Sequence, residues 1–422
     1  MNGPGRRSVW SWVVYDLANT IFALGVVGLY IPDWLSSVDR PDGDLAAVQV
    51  AAAIVVVFLA PWIGARTDAT GVRLPALRIT TLLAVAATFF LDTGPEPLTL
   101  VLLFIAIVGV NTGSVVYDAL LVEVSTPENR GWVSGLGVGM GYLGSFIGLG
   151  IGLVAFNLLG WGYAGTFRTL ALAFLVFAIP AFVFIVERPH PSPERPPGMI
   201  DVVRRVIASW RRARGYDGVT RFLLGRFLYT DAINTLLAGF LALYVIEELK
   251  MTRDDVTVLL AVAIAAAIAG GLGAARLLDR VSPVRLLRAV LLVWVVGFAA
   301  VVAAGVSEVR SLVWVLGPVG GLALGATWAA DRVVMTRISP PRHLGEFYGL
   351  YATVGRFATI LGPLLWALVV DVAELGRSFA MGVLGALVTA SWFVLRKVED
   401  SPRSWAPQDE VPVRDSPDGS RT

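Results

Sequence analysis

The sequence predicts an all-α membrane protein with twelve transmembrane helices in two pseudo-symmetric six-helix bundles. Three observations lead there. The 422-residue chain is 56% hydrophobic with only 16% charged residues, and its mean hydropathy is +0.71; soluble domains carry about 25% charged residues. Twelve apolar stretches reach, or come near, the roughly 20 residues that a spanning helix needs. A polar motif inside the first stretch, Asp16-x-x-Asn19-Thr20, returns 215 residues later as Asp231-x-x-Asn234-Thr235 inside the seventh.

The spans run at about 10–35, 45–65, 74–92, 98–119, 131–157, 166–186, 221–247, 255–275, 285–305, 311–333, 345–370 and 378–396. They are too long and too weakly alternating for strands. The organisation is therefore a first bundle over 1–186, a linker over 187–220, a second bundle over 221–397, and a polar tail over 398–422 that composition marks as disordered. Arg6 and Arg7 precede a run longer than a signal-peptide core, without a small-residue cleavage site, so the first span reads as retained. Within the linker, Val202, Val203, Val206, Ile207 and Trp210 recur at helical spacing opposite Arg204, Arg205, Arg211, Arg212 and Arg214. That is an amphipathic helix for an anionic membrane surface, and proximity to lipid accounts for the arginines without a nucleic-acid partner.

Orientation follows from the basic residues. With both termini cytoplasmic, 26 of the 34 Lys/Arg fall on the cytoplasmic side. Six fall outside (Arg40, Arg168, Lys250, Arg253, Arg310 and Arg377), and Arg226 and Arg356 lie within spans. This satisfies the positive-inside rule and predicts a multi-pass protein of the cell membrane. No cysteine is present, and both histidines, His190 and His343, fall in loops. Thiolate metal sites, disulfides and intramembrane histidine relays are excluded. No metal or cofactor is expected, and no phosphate-binding G-x-x-x-x-G-K-[ST] loop occurs.

The repeat extends beyond its founding motif. Asp68 and Asp279 follow the second and eighth spans; Asp118 and Asp331 end the fourth and tenth; Pro127 and Pro340 open the next loops. Gly135, Gly141 and Gly148 match Gly349, Gly355 and Gly362 at a constant offset of 214. Glycine stripes on the fifth span (Gly144, Gly148, Gly152) and small residues on the eighth (Ala263, Ala267, Gly270, Gly271, Ala274) offer close-packing surfaces, the eighth being a match for the fifth.

The loop Gly64-x-x-x-Asp68-x-x-Gly71-x-Arg73 resembles the signature loop of the major facilitator superfamily in every defining position. Its glycines permit a tight turn. Asp68 can face the positive end of a neighbouring helix, and Arg73 can pair with Asp118 or Glu123. The second-half counterpart keeps only Asp279 and Arg280, with the start of the fifth span as partner. Together with Asp331, Arg332 and Glu346, these residues make a candidate cytoplasmic gate. Finer blocks resemble the vacuole-effluxer-like branch, which includes the autophagy-related amino-acid exporters: Tyr15-Asp16-Leu17-Ala18-Asn19-Thr20, Tyr117-Asp118-Ala119-Leu120-Leu121, Arg226-Phe227-Leu228-Tyr229-Thr230-Asp231, Glu346-Phe347-Tyr348-Gly349 and Gly362-Pro363. Asp118 stands where the branch has asparagine and Arg356 where it has lysine. The resemblance implies alternating-access transport of a small polar solute, an amino acid by analogy, by a monomer.

Ionisable groups inside spans mark functional sites. Asp231, then Asp16, are the candidates for proton coupling. Arg356, ten residues or ~15 Å into its span, can clamp a substrate carboxylate or neutralise an aspartate. Arg226 can snorkel. Asn19, Asn111, Asn234, Tyr15 and Tyr229 are candidate substrate contacts. Cation-coupled sugar symport, lipid flipping or scrambling, and non-transporting solute sensing are the alternatives.

Overall fold

The computed structural model describes residues 5–126, 129–187, 198–278, 280–307, 309–340 and 343–399. It is helical throughout these segments. The first half comprises α1 (Arg6–Ser37), α2 (Asp42–Thr70), α3 (Leu74–Phe89), α4 (Glu96–Val124), α5 (Trp132–Leu158) and α6 (Gly162–Phe184). A separate helix, α7 (Met199–Ala213), follows. The second half comprises α8 (Val219–Glu248), α9 (Arg253–Leu278), α10 (Pro283–Ser307), α11 (Val313–Ile338), α12 (Glu346–Val372) and α13 (Arg377–Leu395). Eleven of these helices are long and apolar enough to cross a membrane; α3, with 16 residues, is the short one. Pro127, His190, Asp279 and nearly all of the 398–422 tail lie outside the described residues, as do the side chains of Asp68, Val202 and Arg205.

Local chemistry sets the helix ends. Pro41 precedes α2, whose first turn carries Asp42 and Asp44 at the positive end of the helix dipole. Gly71 closes α2 in the left-handed region (φ 68°), the conformation for which the signature loop needs glycine. The outer faces are apolar: Ile79 is 67% exposed and Val296 67%. Side chains of this kind, repeated around a bundle, need hydrocarbon rather than water.

Within each half the small-residue stripes let backbones touch, though not in the pairing expected. A Cβ on Gly144 would collide with the Leu17 carbonyl oxygen of α1, and one on Gly148 would stand 3.1 Å from that of Ile21. A Cβ on Gly270 would collide with the Leu322 carbonyl of α11, and one on Gly325 with the Ala267 carbonyl of α9. The α5 stripe therefore packs on α1 and the α9 stripe on α11, each inside its own half. Stripes buried this way hold each bundle together, while α5 and α9 also meet across the halves.

Between the halves, α1 meets α8, α2 meets α12, and α5 meets α9. The helix α7 touches both α2 and α12 at the end bearing the termini, where Arg212 pairs with Glu346 at 2.6 Å. Val206 and Trp210 turn inward onto the core while Ile200, Val203 and Ile207 stay exposed. Both D-x-x-N-T motifs are followed at once by widened, i→i+5 bonded turns: Ile21–Tyr30 in α1 and Leu236–Phe240 in α8. In α8 this region holds a true kink, with Gly239 at φ 105°.

Candidate functional site

The site begins with a break in α12. Its first segment ends at Phe357, Ala358 leaves helical geometry (φ −77°, ψ 51°), and a second segment starts at Leu361. A break leaves carbonyls and amides without partners. The α8 motif satisfies one of each: Asn234 Nδ2 donates to the Ala358 carbonyl at 2.9 Å, and the Asp231 carboxylate accepts the Gly362 N–H. Thr235 fits only because residue 362 lacks a side chain; a Cβ there would collide with Thr235 Oγ1. Asp231 is fully buried, and its Oδ1 has no hydrogen-bond partner. The D-x-x-N spacing, one helical turn, is thus a clasp across the break.

In α1 the same motif meets an unbroken α5. Thr20 donates to the Gly141 carbonyl at 2.6 Å, and the Asp16 carboxylate lies against Gly141, where an added Cβ would be 2.6 Å from Oδ2. With no helix break to cap, Asp16 stays half-buried, within electrostatic reach of Asp118 and Arg332. Asn19 is half-buried, its Oδ1 shielded from solvent and without a hydrogen-bond partner.

A cavity of about 440 Å³ separates the halves, lined from α1, α2, α4, α8 and α12. Its polar wall includes Gln49, Asn111, Ser114, Asp118, Asn234, Arg356 and Thr359. Asp118 comes from one half and Arg356 from the other. Their charges act on each other, yet they form no ion pair within 4 Å among the described residues. Arg356 owes its position to the α12 break, which begins two residues on. Asn111 and Asp118 keep accessible side chains inside the bundle, facing this cavity.

At the end opposite the termini the two halves are closed on each other. There Arg377 grips Asp42 through two bonds of 2.8 and 2.9 Å, and Trp366 Nε1 donates to the same carboxylate at 2.8 Å. Arg253 pairs with Asp33, stacks on Phe156 at 3.6 Å and donates to Tyr163 Oη at 3.1 Å. Ser36 bonds Glu247, Asn157 bonds Asp254, and Gln49 donates to the Ala238 carbonyl at 2.5 Å. Every one of these contacts joins α1, α2, α5 or α6 of the first half to the second half. Sequence reasoning missed this latch. Its signal was present, since Arg253 and Arg377 are two of only six basic residues assigned to that side.

Other expectations are corrected. Tyr15 and Tyr229 do not line the cavity. Tyr15 is buried, bonded to Thr81 at 2.6 Å and stacked on Tyr117. Tyr229 donates to Asp331. Asp331 is not in a surface gate: it is fully buried and accepts from Arg226 Nε (3.1 Å), Tyr351 (2.8 Å) and Tyr229 (3.2 Å). Arg226 therefore does not snorkel; it is 6% exposed, and its guanidinium also stacks 3.6 Å over Tyr351. An arginine buried in hydrocarbon must find such a partner set. Glu346 ties α7 to α12. In the signature loop Arg73 pairs with Glu123 at 3.1 Å, not with Asp118, and Glu187 accepts the Leu74 N–H at 2.9 Å. A Cβ on Gly64 would lie 3.7 Å from Val115 of α4. Arg280 and Arg332 are exposed at the same end; the expected pairings of Asp68 and Asp279 fall outside the described residues.

Comparison with known proteins bears on the fold and the family. The family model described as "Vacuole effluxer Atg22 like" matches residues 122–404. An uncharacterized MFS-type transporter, YxiO, of Bacillus subtilis is 26% identical over 377 residues, covering 85% of this chain and 87% of its own. Autophagy-related protein 22 of Yarrowia lipolytica is 26% identical over 295 residues, covering 62% of this chain and 49% of its own. Among solved structures, the nucleoside transporter NupG (D323A mutant) aligns with a TM-score of 0.68 at 10% identity, over 93% of this chain and 99% of its own. A D-xylose-proton symporter aligns with a TM-score of 0.60 at 16% identity, over 93% and 96%. At such identities the structures speak for the fold alone, which is that of the major facilitator superfamily. With more than half of its length matched by the family model, the chain belongs to the vacuole effluxer Atg22-like family.

Proposed function

We propose that this secondary transporter, working by alternating access, carries a small zwitterionic solute of the amino-acid class between Asp118 and Arg356. The observation that carries the reading is the placement of these opposite charges on opposite halves, facing one water-accessible cavity. A carboxylate attracts the solute's ammonium; a guanidinium presents a planar fork to its carboxylate. A bound zwitterion would bridge the halves and favour their closure around it. Binding energy then acts on the conformational equilibrium, as alternating access requires.

Proton coupling belongs, on this reading, to Asp16 with Asp118. The two carboxylates share one region with Arg332, so solute and protons compete for the same negative charge. Asp231, the first sequence candidate, contributes by holding the α12 break that aims Arg356. The arginine distribution puts the termini in the cytoplasm of a cell-membrane protein. The latched end then faces outward, which makes this the inward-facing state.

Flux in proteoliposomes loaded with a pH dye tests this. Amino acids should move with a proton signal in the wild type. Asp16→Asn should uncouple solute from protons, and Arg356→Ala should raise the KM for amino acids while sparing solutes without a carboxylate. Transport of sugars but not amino acids would refute the solute class; a proton signal intact in Asp16→Asn would refute the coupling role.

A further inference from the structure

A second cavity, of about 330 Å³, lies beside the first. It is walled by α1, α5, α8, α9, α10 and α11, and Ala23 and Leu237 line both cavities. Its character is opposite to that of its neighbour. Several polar groups in and behind its wall are turned aside: Trp294 Nε1 donates to Thr327 at 3.1 Å, Thr327 donates to the Ala323 carbonyl at 2.7 Å, and Ser145 reaches the Gly141 carbonyl at 3.4 Å; Tyr142 and Trp328 also border the chamber. What remains is mostly carbon, from leucine, alanine, valine, isoleucine and glycine and from the rings of Tyr142, Trp294, Phe298 and Trp328. Its volume alone falls within the range of small-molecule pockets, roughly 300–1,000 Å³, and exceeds the needs of an ordinary amino-acid side chain. Leu237, 38% exposed, stands between the two spaces one residue before the α8 kink at Ala238 and Gly239.

We propose that the solute is a single-chain amphiphile, with a zwitterionic head between Asp118 and Arg356 and an unbranched alkyl or acyl chain in this side chamber. The placement of the head rests on the function proposed above. A dipolar site and a carbon-lined chamber that share two wall residues match a molecule with one polar and one apolar end. Water in the chamber would find almost no partners, whereas each methylene entering it gains affinity, about fourfold by transfer from water. Leu237 is the partition the chain passes, and the adjoining kink gives it room to move.

The test uses the full chain in lipid nanodiscs, with empty discs as the blank. Binding is measured by calorimetry for straight-chain 2-amino acids from alanine to 2-aminodecanoate, and for alkylphosphocholines of matching length. Gly297→Leu and Gly320→Leu fill the chamber without a clash at the backbone, since a Cβ on either glycine meets nothing within 4 Å. Affinity should climb by about fourfold per methylene in the wild type, and both variants should flatten that slope. Arg356→Ala should weaken every 2-amino acid and keep the slope. A slope equally steep in the chamber variants, or no slope in the wild type because a bilayer lipid holds the chamber, overturns the proposal. A slope seen only with the phosphocholines, and flattened by the glycine variants, keeps the chamber and refutes the amino-acid head. Head-group dependence without any slope does the reverse.

Discussion

Replacing Asp42 with asparagine isolates one buried contact between the halves. Asp42 is 1% exposed and receives two bonds from Arg377 and one from Trp366. Breaking a buried ion pair by removing one partner costs about 3–5 kcal/mol. Two features reduce this figure. Asparagine keeps an acceptor for Trp366, and the Arg377 side chain is 24% exposed, so water recovers part of its solvation. The remainder is about 2 kcal/mol, and because the contact exists only while this end is shut, it acts on the conformational equilibrium. At about 1.4 kcal/mol per decade this is a shift of roughly thirtyfold toward the state open at the latched end. The chain has no cysteine, so Ser37→Cys and Ala373→Cys place spin labels on the two sides of the latch without background. Pulsed dipolar spectroscopy in nanodiscs should show a longer-distance population in Asp42→Asn that is absent or minor in its parent. An unchanged distance distribution in a folded variant would refute the claim that this pair holds the end closed.

Three further outcomes follow from the packing. Asn234→Ala leaves the Ala358 carbonyl unpaired in the α12 break, which should cost about 1–3 kcal/mol; thermal unfolding reads the loss, and a raised KM with kcat retained would show that Arg356 has lost its aim rather than the bundle its fold. Gly325→Val pushes a side chain into the Ala267 carbonyl and should lower the melting temperature sharply, whereas Gly139→Ala, where a Cβ meets nothing within 4 Å, should leave it nearly unchanged. Asp331→Ala strands the Arg226 guanidinium, a loss of about 3–5 kcal/mol, while Arg226→Met with Asp331→Leu should restore much of the melting temperature; failure of the double variant to recover would mean the network does more than satisfy its own charges.

The sequence carried the helical spans because each rests on a local rule. Hydropathy reports a span, glycine at a positive-φ turn reports a loop, and arginine opposite apolar residues reports a surface helix. What it could not carry was partnership. Asp331 and Asp118 occupy the same repeat position, yet one is sealed among Arg226, Tyr229 and Tyr351 and the other faces the cavity. Tyr15 and Tyr229 sit beside functional residues in the chain and pack away from them in space. The α12 break had a local signal in Gly362-Pro363, since a proline inside a helix lacks an N–H and crowds the carbonyl four residues back; what the sequence could not show is that Asp231 and Asn234, 124 or more residues earlier, satisfy its ends.

One repeated motif serves two purposes here. Both copies of D-x-x-N-T face a glycine-bearing helix of their own half, and both precede a widened turn. In the second half the facing helix is broken, so aspartate and asparagine are consumed by its backbone, and the nearby Asp331 is consumed by Arg226. The intramembrane charge left to the cavity there is positive, Arg356. In the first half the facing helix is intact, and Asp16 and Asp118 remain available. The two bundles thus present opposite charge to a common space although they carry the same pattern. That asymmetry is what a dipolar solute needs to bind both halves at once, and a symmetric pair of clasps could not provide it.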